Sequence, residues 1–486
     1  MDRIKDWKSY QHTLNRSKRK NSNILRPLYI FIFIIAFLVI SIGGIKLFFF
    51  VKNYYAKSVL NKQQTFLGTG IRPIKFDGAG NNKKIKTLSA SSSTNGSTVL
   101  GKKYFNSHNF SIKALQRYFA SHSPKFNTVK NGHYVQKLGK YTIVYTLDPV
   151  VQNEAKKVLA EYSVPFGAVA AINPETGAVL GLYSYASNKS KKYEISDLIT
   201  YKLGSLAKIV TASAAIEAKG FYPGFNVCYN GGLYGTNKNY WIQNINTGNN
   251  RISFSLAFAK SCDIAFGKIA GFYVGRKLMQ KYFDKYYFNR KIPFILNLQN
   301  STAKIPSKFY NLELTGAGFK NVRVTPLLAA LMSAAVINGG KLLDPYIVKE
   351  VIGSDGHIVY KHKSVRILDY PITPSTAAIL KKLMIDTVTK GIGRYDFYNN
   401  YNQYMLPGVT AGGKTGTISG NHPTGLYQWF TGFGETKDIK IAVSALVVEK
   451  PVWRIEGGGV SEKVIYSYFF NNNNENNNRT VELAKK

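Results

Sequence analysis

Residues 203–216 read LGSLAKIVTASAAI, a run in which apolar and small side chains dominate over more than three helical turns. In this run Ser205 follows Gly204 and precedes Lys208 by three residues. Residues three apart share one face of a helix, so the lysine amine can lie beside the serine hydroxyl and accept its proton. The run therefore predicts a buried helix with a reactive hydroxyl in its first turn.

The S-x-x-K pattern occurs three times in the chain, so its surroundings must separate a chemical site from chance. The match at 17–20 lies in a basic tail, and the match at 301–304 lies in a polar stretch before a proline. Only Ser205 opens a buried helix, where free backbone N–H groups can stabilise an oxyanion. The positive end of that helix also disfavours a charged Lys208, and a neutral lysine is a usable base. We therefore predict Ser205 as nucleophile and Lys208 as base.

A second polar motif, Ser261-Cys262-Asp263, separates two helical patterns at 255–260 and 264–270. A connecting loop at this point can present the hydroxyl and the carboxyl to the same cleft. An ordinary helix cap is the alternative interpretation.

A third motif consists of Lys414, Thr415, Gly416 and Thr417, which follow two glycines on a predicted strand. Small residues on a strand allow a substrate backbone to approach and to add itself as an extra strand. Lys414 is expected to face a substrate carboxylate. If Lys208 and Lys414 converge on one cleft, their mutual repulsion favours loss of a proton near neutral pH. Each motif is a weak signal alone, but the occurrence of S-x-x-K, S-x-D and K-T-G in this order indicates a catalytic site rather than a chance match.

Strand patterns occur in two groups, with helical patterns between them. The first group comprises 141–147, 168–172 and 178–184, and the second comprises 408–417, 427–433 and 439–449. The residues Asn-Pro-Glu-Thr-Gly at 173–177 have turn chemistry and predict a hairpin. The predicted fold class is α+β, with an antiparallel sheet that is flanked by helices and interrupted by a large helical insert.

The three motifs, in this order, resemble the active site of penicillin-binding proteins and serine β-lactamases. The surrounding residues 141–468 resemble the transpeptidase domain in particular, because Asp148, Pro149 and Gln152 and the turn at 173–177 are similar to stretches of that domain. The resemblance implies a peptidoglycan D,D-transpeptidase that also binds β-lactams.

The resemblance also implies a role for each motif residue. Ser205 would attack the penultimate D-Ala carbonyl of a stem peptide, Lys208 would take the serine proton, and Ser261 would relay a proton to the leaving amine. Lys414 and Thr417 would bind the terminal carboxylate, with Thr415 and Gly416 in the substrate-binding strand. Asp263 departs from the more frequent Asn, and a carboxylate cannot donate the hydrogen bond that an amide gives. No cofactor and no metal are implied.

The N-terminal part predicts a membrane anchor. Residues 27–51 are apolar enough to cross a bilayer, and the preceding tail, 1–26, is strongly basic, which places it in the cytoplasm. The rest of the chain would then lie outside the bacterial plasma membrane. We expect a linker or pedestal at 52–140, the catalytic domain at 141–468 and a disordered tail at 469–486. The pedestal is too short for a glycosyltransferase domain, which is typical of a compact class B enzyme with a polytopic membrane glycosyltransferase as partner.

The composition excludes other classes. A formal charge of +39 favours anionic surfaces, but aromatic residues are spread through the chain rather than interleaved with basic ones on one face, so a nucleic-acid partner is not expected. Two cysteines provide no disulfide framework. A D,D-carboxypeptidase, a β-lactamase and a non-catalytic wall-synthesis scaffold remain as alternatives, and the choice between elongation and division stays open.

Overall fold

The protein is described here by a computed structural model, which covers residues 110–235, 237–244, 246–449 and 452–471. The helices in chain order are α1 (Ile112–Phe119), α2 (Pro149–Glu161), α3 (Ala207–Lys219), α4 (Lys238–Ile242), α5 (Phe254–Ala259), α6 (Asp263–Lys268), α7 (Gly275–Lys285), α8 (Phe309–Ala317), α9 (Pro326–Ile337), α10 (Pro374–Thr389), α11 (Arg394–Phe397) and α12 (Gly457–Phe470). Short 3-10 turns cover Lys189–Glu194 and Gly204–Leu206, and a π-helix covers Ile269–Val274.

The strands in chain order are β1 (Thr128–Lys130), β2 (His133–Leu138), β3 (Tyr141–Tyr145), β4 (Phe166–Ile172), β5 (Val179–Ala186), β6 (Tyr201–Lys202), β7 (Asn226–Tyr229), β8 (Asn250–Ser253), β9 (Thr302–Ala303), β10 (Val322–Val324), β11 (Leu342–Leu343), β12 (Val348–Ile352), β13 (Ile358–Lys361), β14 (Ile367–Asp369), β15 (Thr410–Asn421), β16 (Thr424–Glu435) and β17 (Lys440–Glu449).

The central sheet has the strand order β15-β16-β17-β4-β5, and every pairing in it is antiparallel. Its strands come from both ends of the catalytic region, as the α+β prediction requires. The predicted hairpin joins β4 to β5, where the Asn173 side chain accepts hydrogen bonds from the N–H groups of Glu175 and Thr176. Strand β15, which carries the K-T-G motif, lies at the edge of the sheet.

Helices cover both faces of this sheet. Alternate residues of a strand point to opposite faces, and accordingly Ala168 and Ala170 pack in the cluster that contains α9, whereas Val169 and Ala171 pack with α2 and α12. Helix α2 starts as predicted, because the Asp148 side chain accepts from the N–H of Val150 at 2.8 Å. The sheet is therefore the middle layer of the domain.

The helical insert between β5 and β15 contains α3, the helix of the opening motif. Residues 207–216 of α3 are all buried, which confirms the prediction of a buried helix. The insert also holds α5 and α6, which meet at the S-x-D motif. After α10, the N–H of Ile392 donates to the carbonyl oxygen of Ala259 at 3.1 Å and so fixes the end of α5.

A second sheet, of order β1-β2-β3-β12-β13, crosses the domain boundary predicted at Tyr141. Strand β2 pairs with β3, with Leu138 opposite Tyr141. Part of the region expected as a linker or pedestal therefore belongs to the same sheet as β3. At the other end, α12 continues to Phe470, beyond the boundary expected at 468.

The predicted tail at 1–26 and membrane segment at 27–51 lie outside the described residues, as do residues 52–109 and 472–486. Within the described part of the chain, none of the helices combines the length and the apolar character needed to span a bilayer.

Candidate active site

Ser205 occupies the 3-10 turn that leads directly into α3. The preceding Gly204 has a φ of +61°, a conformation that residues with a side chain rarely adopt. Gly318, at the end of α8, lies against the same peptide, and a Cβ atom there would come within 2.0 Å of the Gly204 carbonyl oxygen. Gly318 is not among the residues that the sequence motifs predict for the site. A glycine just after a helical run is a recognisable C-terminal signal, but nothing in the pattern linked it to Ser205.

Lys208 joins the first two motifs. Its Nζ atom lies 2.7 Å from Ser205 Oγ, 3.2 Å from Ser261 Oγ and 2.6 Å from Asp263 Oδ1. The lysine is fully buried, and Ser261 and Asp263 are also buried. Residues that are more than 50 positions apart in the chain thus surround one amine, where hydrogen-bonding contacts are shielded from water.

The S-x-D motif is held by the way α5 ends. Ser261 has a φ of +55°, an unusual conformation for a residue other than glycine. Its N–H donates to the Phe258 carbonyl at 3.0 Å, and the N–H of Cys262 donates to the Ala257 carbonyl at 2.8 Å. Asp263 then starts α6. The left-handed residue is what turns the chain so that both polar side chains reach Lys208.

Lys414 is fully buried on β15, and its Nζ donates to the Thr415 carbonyl at 3.0 Å. Burial lowers the pKa of Lys414 well below its ordinary value, and the charge on Lys208 lowers it further, while Asp263 acts in the opposite direction. Burial likewise raises the pKa of the Asp263 carboxyl, opposed by the charge and hydrogen bond of Lys208 and by the charge of Lys414. The two lysines and the aspartate therefore form one electrostatic unit.

Two glycines of β15 pack closely against neighbouring groups. A Cβ at Gly413 would meet the Phe430 ring at 2.1 Å, and a Cβ at Gly416 would lie 3.3 Å from the backbone nitrogen of Ser205. Gly416 thus allows β15 to lie close to Ser205, and its role in substrate binding stays a prediction. Thr417 is exposed, whereas Thr415 is buried, and its hydroxyl oxygen has no hydrogen-bond partner within the part of the chain that the structure describes.

The S-x-x-K match at 301–304 has a structural function. The Ser301 hydroxyl oxygen accepts from the N–H of Thr325 at 3.0 Å, and Lys304 is exposed. The match at 17–20 lies outside the described residues. Of the matches that the structure describes, Ser205-x-x-Lys208 is the one whose lysine contacts its serine.

The cluster provides a hydroxyl beside a buried amine, a second hydroxyl on the same amine, and backbone N–H groups at the start of a helix. These are the groups that formation of a serine acyl-enzyme requires, namely a nucleophile, a base and an oxyanion site. In the described part of the chain, no three His, Cys, Asp or Glu side chains gather in the manner of a metal site.

An antiparallel sheet with a helical insert, and these three motifs at their junction, define the class of penicillin-recognising serine enzymes. The chain belongs to the penicillin-binding protein transpeptidase family, whose transpeptidase domain matches residues 167–469.

Two relatives place the chain within this family. It is 26% identical over 345 residues to stage V sporulation protein D of Bacillus subtilis, a match that covers 66% of this chain and 51% of that protein. It is 25% identical over 315 residues to the peptidoglycan D,D-transpeptidase PbpA of Mycolicibacterium smegmatis, covering 58% of this chain and 61% of the relative. The chain thus spans between half and two thirds of the length of these relatives.

Solved structures agree in fold. The crystal structure of PBPA from Mycobacterium tuberculosis superposes with a TM-score of 0.55 at 25% identity, covering 67% of this chain and 80% of that one. The D,D-transpeptidase domain of a peptidoglycan glycosyltransferase from Eggerthella lenta has a TM-score of 0.57 at 21% identity and covers 67% of this chain and 82% of that one. The latter likeness concerns the fold alone.

Proposed function

We propose that the chain is a class B-like peptidoglycan D,D-transpeptidase that cross-links stem peptides through an acyl-enzyme on Ser205 and is acylated there by β-lactams. The observation that carries this proposal is the position of the Lys208 amine within 3.2 Å of both Ser205 Oγ and Ser261 Oγ. The family match and the PbpA relative named as a D,D-transpeptidase support the same reaction.

In the proposed acylation, Ser205 Oγ attacks the carbonyl carbon of the penultimate D-Ala while the neutral amine of Lys208 takes the hydroxyl proton. The carbonyl oxygen becomes an oxyanion that the N–H groups of Ser205 and Thr417 stabilise. The proton then passes through the Ser261 hydroxyl to the leaving nitrogen, and the C–N bond breaks. D-Ala leaves as an amine and an ester remains on Ser205.

In the proposed second half, an amine from a neighbouring stem peptide attacks this ester. Lys208, again neutral, accepts the proton of the attacking amine and returns it to Ser205 Oγ as the ester bond breaks. Lys414 and Thr417 hold the terminal carboxylate of the donor before acylation, and Thr415 and Gly416 shape the strand that the substrate joins. Asp263 orients Lys208, which it contacts at 2.6 Å.

We also propose that residues 27–51 anchor the protein in the bacterial plasma membrane, with the catalytic domain outside. The uncharged run at 28–45 and the basic residues before it support this topology. A polytopic membrane glycosyltransferase, which would supply the glycan strands, is the proposed partner.

A fluorescent penicillin tests the chemistry directly. Membranes that contain the full chain are expected to give one covalent band, and Ser205→Ala is expected to give none. Ser301→Ala is the matched control, because it removes the serine of another S-x-x-K pattern that has no lysine contact. A band that survives in Ser205→Ala would exclude this nucleophile, and no band in the parent chain would exclude the proposed enzyme class.

Product analysis then separates the three enzymatic outcomes. The full chain in detergent is supplied with a donor stem peptide and an acceptor amine. A cross-linked dimer is expected. Free tetrapeptide as the main product would instead indicate a carboxypeptidase, and rapid hydrolysis of the penicillin ester would indicate a β-lactamase.

A further inference from the structure

Beside the nucleophile lies a pocket of about 290 Å³ that the proposed mechanism does not use. Both apolar and basic side chains line it. We name it the basic pocket and define it by six of its lining residues: Lys202, Phe319, Lys320, Val322, Arg323 and Ile418.

The three cations of the basic pocket hydrogen-bond to neutral groups. Lys202 Nζ donates to the Ser419 carbonyl at 3.0 Å, and Lys320 Nζ donates to Asn311 Oδ1 at 3.2 Å. Arg323 Nε donates to the hydroxyl oxygen of Thr200 at 3.2 Å. Across the ranges that the structure describes, no ion pair joins any of the three to a carboxylate. The pocket therefore keeps a positive charge that an anionic group can neutralise.

The basic pocket is adjacent to Ser205. Gly318, whose α-carbon lies against the Gly204 peptide, is also one of its lining residues. Ile418 bounds it from β15, and a Cβ at Gly204 would lie 3.3 Å from Ile418 Cγ2. A ligand bound at Ser205 therefore needs to extend by only one or two residues to enter the pocket.

The directions of the backbone N–H and C=O groups on β15 determine which substrate residue places its side chain in the basic pocket. Lys414 and Lys202 bind the carbonyl oxygens of Thr415 and Ser419, so these two carbonyls point away from β16 toward the free edge. Ladder hydrogen bonds alternate along an antiparallel strand, and the β15–β16 register runs without a shift, so the N–H and C=O of Thr417 point the same way. Between the two lysines, Thr417 remains available for a substrate.

A substrate that pairs antiparallel to β15 has its C-terminus toward Lys414 and its upstream residues toward Ser419. If the residue to be acylated lies opposite Thr417, the preceding residue lies opposite Ile418, about 3.4 Å further along. Residues directly opposite one another in a sheet place their side chains on the same face. Because Ile418 lines the basic pocket, the side chain of that preceding residue is directed into it.

We infer that the basic pocket is a specificity site that recognises a carboxylate on the side chain of the stem-peptide residue immediately before the acylated D-Ala, an inference that rests on the proposed function. The aliphatic part of such a side chain packs on Val322 and Phe319, and its carboxylate meets Lys202, Lys320 and Arg323. A side chain that ends in a neutral amide gains only the apolar contact.

Calorimetry on the full-length Ser205→Ala chain in detergent tests this without turnover. Two synthetic peptides ending in D-Ala-D-Ala are compared, which differ only in a carboxylate or a carboxamide at the end of the preceding side chain. The acid is expected to bind about tenfold more tightly at low salt, with a smaller advantage at high salt. In the background of Ser205→Ala, adding Lys320→Gln and Arg323→Gln is expected to reduce the advantage to about twofold.

The matched control adds Lys156→Gln and Lys341→Gln, which remove the same charge from exposed lysines that do not line the pocket. This control is expected to keep the tenfold preference. Lys320→Glu alone, which leaves the same net charge in the pocket by changing one exposed side chain, is also expected to reduce the advantage to about twofold and serves if the double variant does not fold. Equal affinity for the two peptides, or a preference that survives in the Lys320 and Arg323 variants, would overturn the inference. Failure of the proposed function has a different signature, because it appears as absence of penicillin labelling in the chain that retains Ser205.

Discussion

The carboxylate of Asp263 lies 2.6 Å from the amine of Lys208, and both groups are buried. An asparagine at this position would offer the lysine an amide, which carries no charge. The contact therefore pairs Lys208 with a carboxyl group whose pKa is raised by burial, and the charge and hydrogen bond of Lys208 oppose that rise.

We expect Asp263→Asn to retain most of the acylation rate. An amide oxygen can accept the hydrogen bond that the carboxylate accepts from Lys208, so the amine keeps its position beside Ser205. The rate of acylation should therefore fall by less than about tenfold. Stopped-flow acylation by penicillin measures the rate, with the exposed Asp355→Asn as control. A larger loss would refute the proposal that Asp263 acts by orienting Lys208.

Lys414→Met should stabilise the fold and impair the chemistry. The pKa of Lys414 is lowered, so the unfolded chain binds a proton there that the folded chain releases, and stability rises with pH up to the ordinary lysine pKa. The variant should therefore gain roughly 1–2 kcal/mol at pH 7, with a smaller gain near pH 10. Urea denaturation followed by tryptophan fluorescence measures this, and penicillin acylation should fall about 100-fold. The exposed Lys361→Met should show neither effect.

Gly318→Ala should displace Ser205, the proposed nucleophile, whereas Gly220→Ala should not. Both glycines have positive φ at the end of a helix, but a Cβ at Gly318 meets the Gly204 carbonyl, whereas a Cβ at Gly220 meets nothing within 4 Å. We expect a loss of about 3 kcal/mol or more at Gly318, from strain and overlap, and about 1 kcal/mol at Gly220. Thermal unfolding and penicillin acylation should both be recorded. Equal losses in the two variants would show that the contact with Gly204 is unimportant.

Glu313 should make stability depend on pH. It is fully buried in α8, and neither carboxyl oxygen has a hydrogen-bond partner among the described residues. Burial raises the pKa of Glu313 to about 8, and the charge of Lys268 opposes this rise. Between its ordinary pKa of 4.5 and about 8, the folded chain keeps a proton that the unfolded chain releases, so stability falls as pH rises through this window. Glu313→Gln should reduce that fall by roughly 1–2 kcal/mol. Urea titrations at pH 5 and pH 8 decide this, with the exposed Glu161→Gln as control.

Local patterns predicted those parts of the fold whose causes are local. The hairpin at 173–177, the capped start of α2 at Asp148 and the buried run of α3 follow from turn chemistry, capping and hydrophobic periodicity. The order of the three motifs also identified the residues that the structure brings together around Lys208. Their roles in catalysis remain predictions that the experiments above address.

Features that depend on distant partners could not be predicted in this way. The boundary expected at Tyr141 divides a sheet, because β3 pairs both with β2 and with β12, which is about 200 residues later in the chain. The left-handed Ser261 and the contact of Gly318 with Gly204 depend on how helices of the insert meet. The hydrophobic periodicity of one segment carries no information about how two helices contact each other.

The two lysines whose amines bind the free edge of β15 also affect the solubility of the protein. An edge strand of 12 residues exposes backbone groups with which another polypeptide can pair, and such pairing can begin aggregation. Here Lys414 and Lys202 donate hydrogen bonds to the carbonyl oxygens of Thr415 and Ser419. The free backbone groups between them can therefore pair with a short peptide but not with a long strand. The edge of β15 can in this way accept the short peptide of the proposed function while it resists pairing with the strands of other molecules.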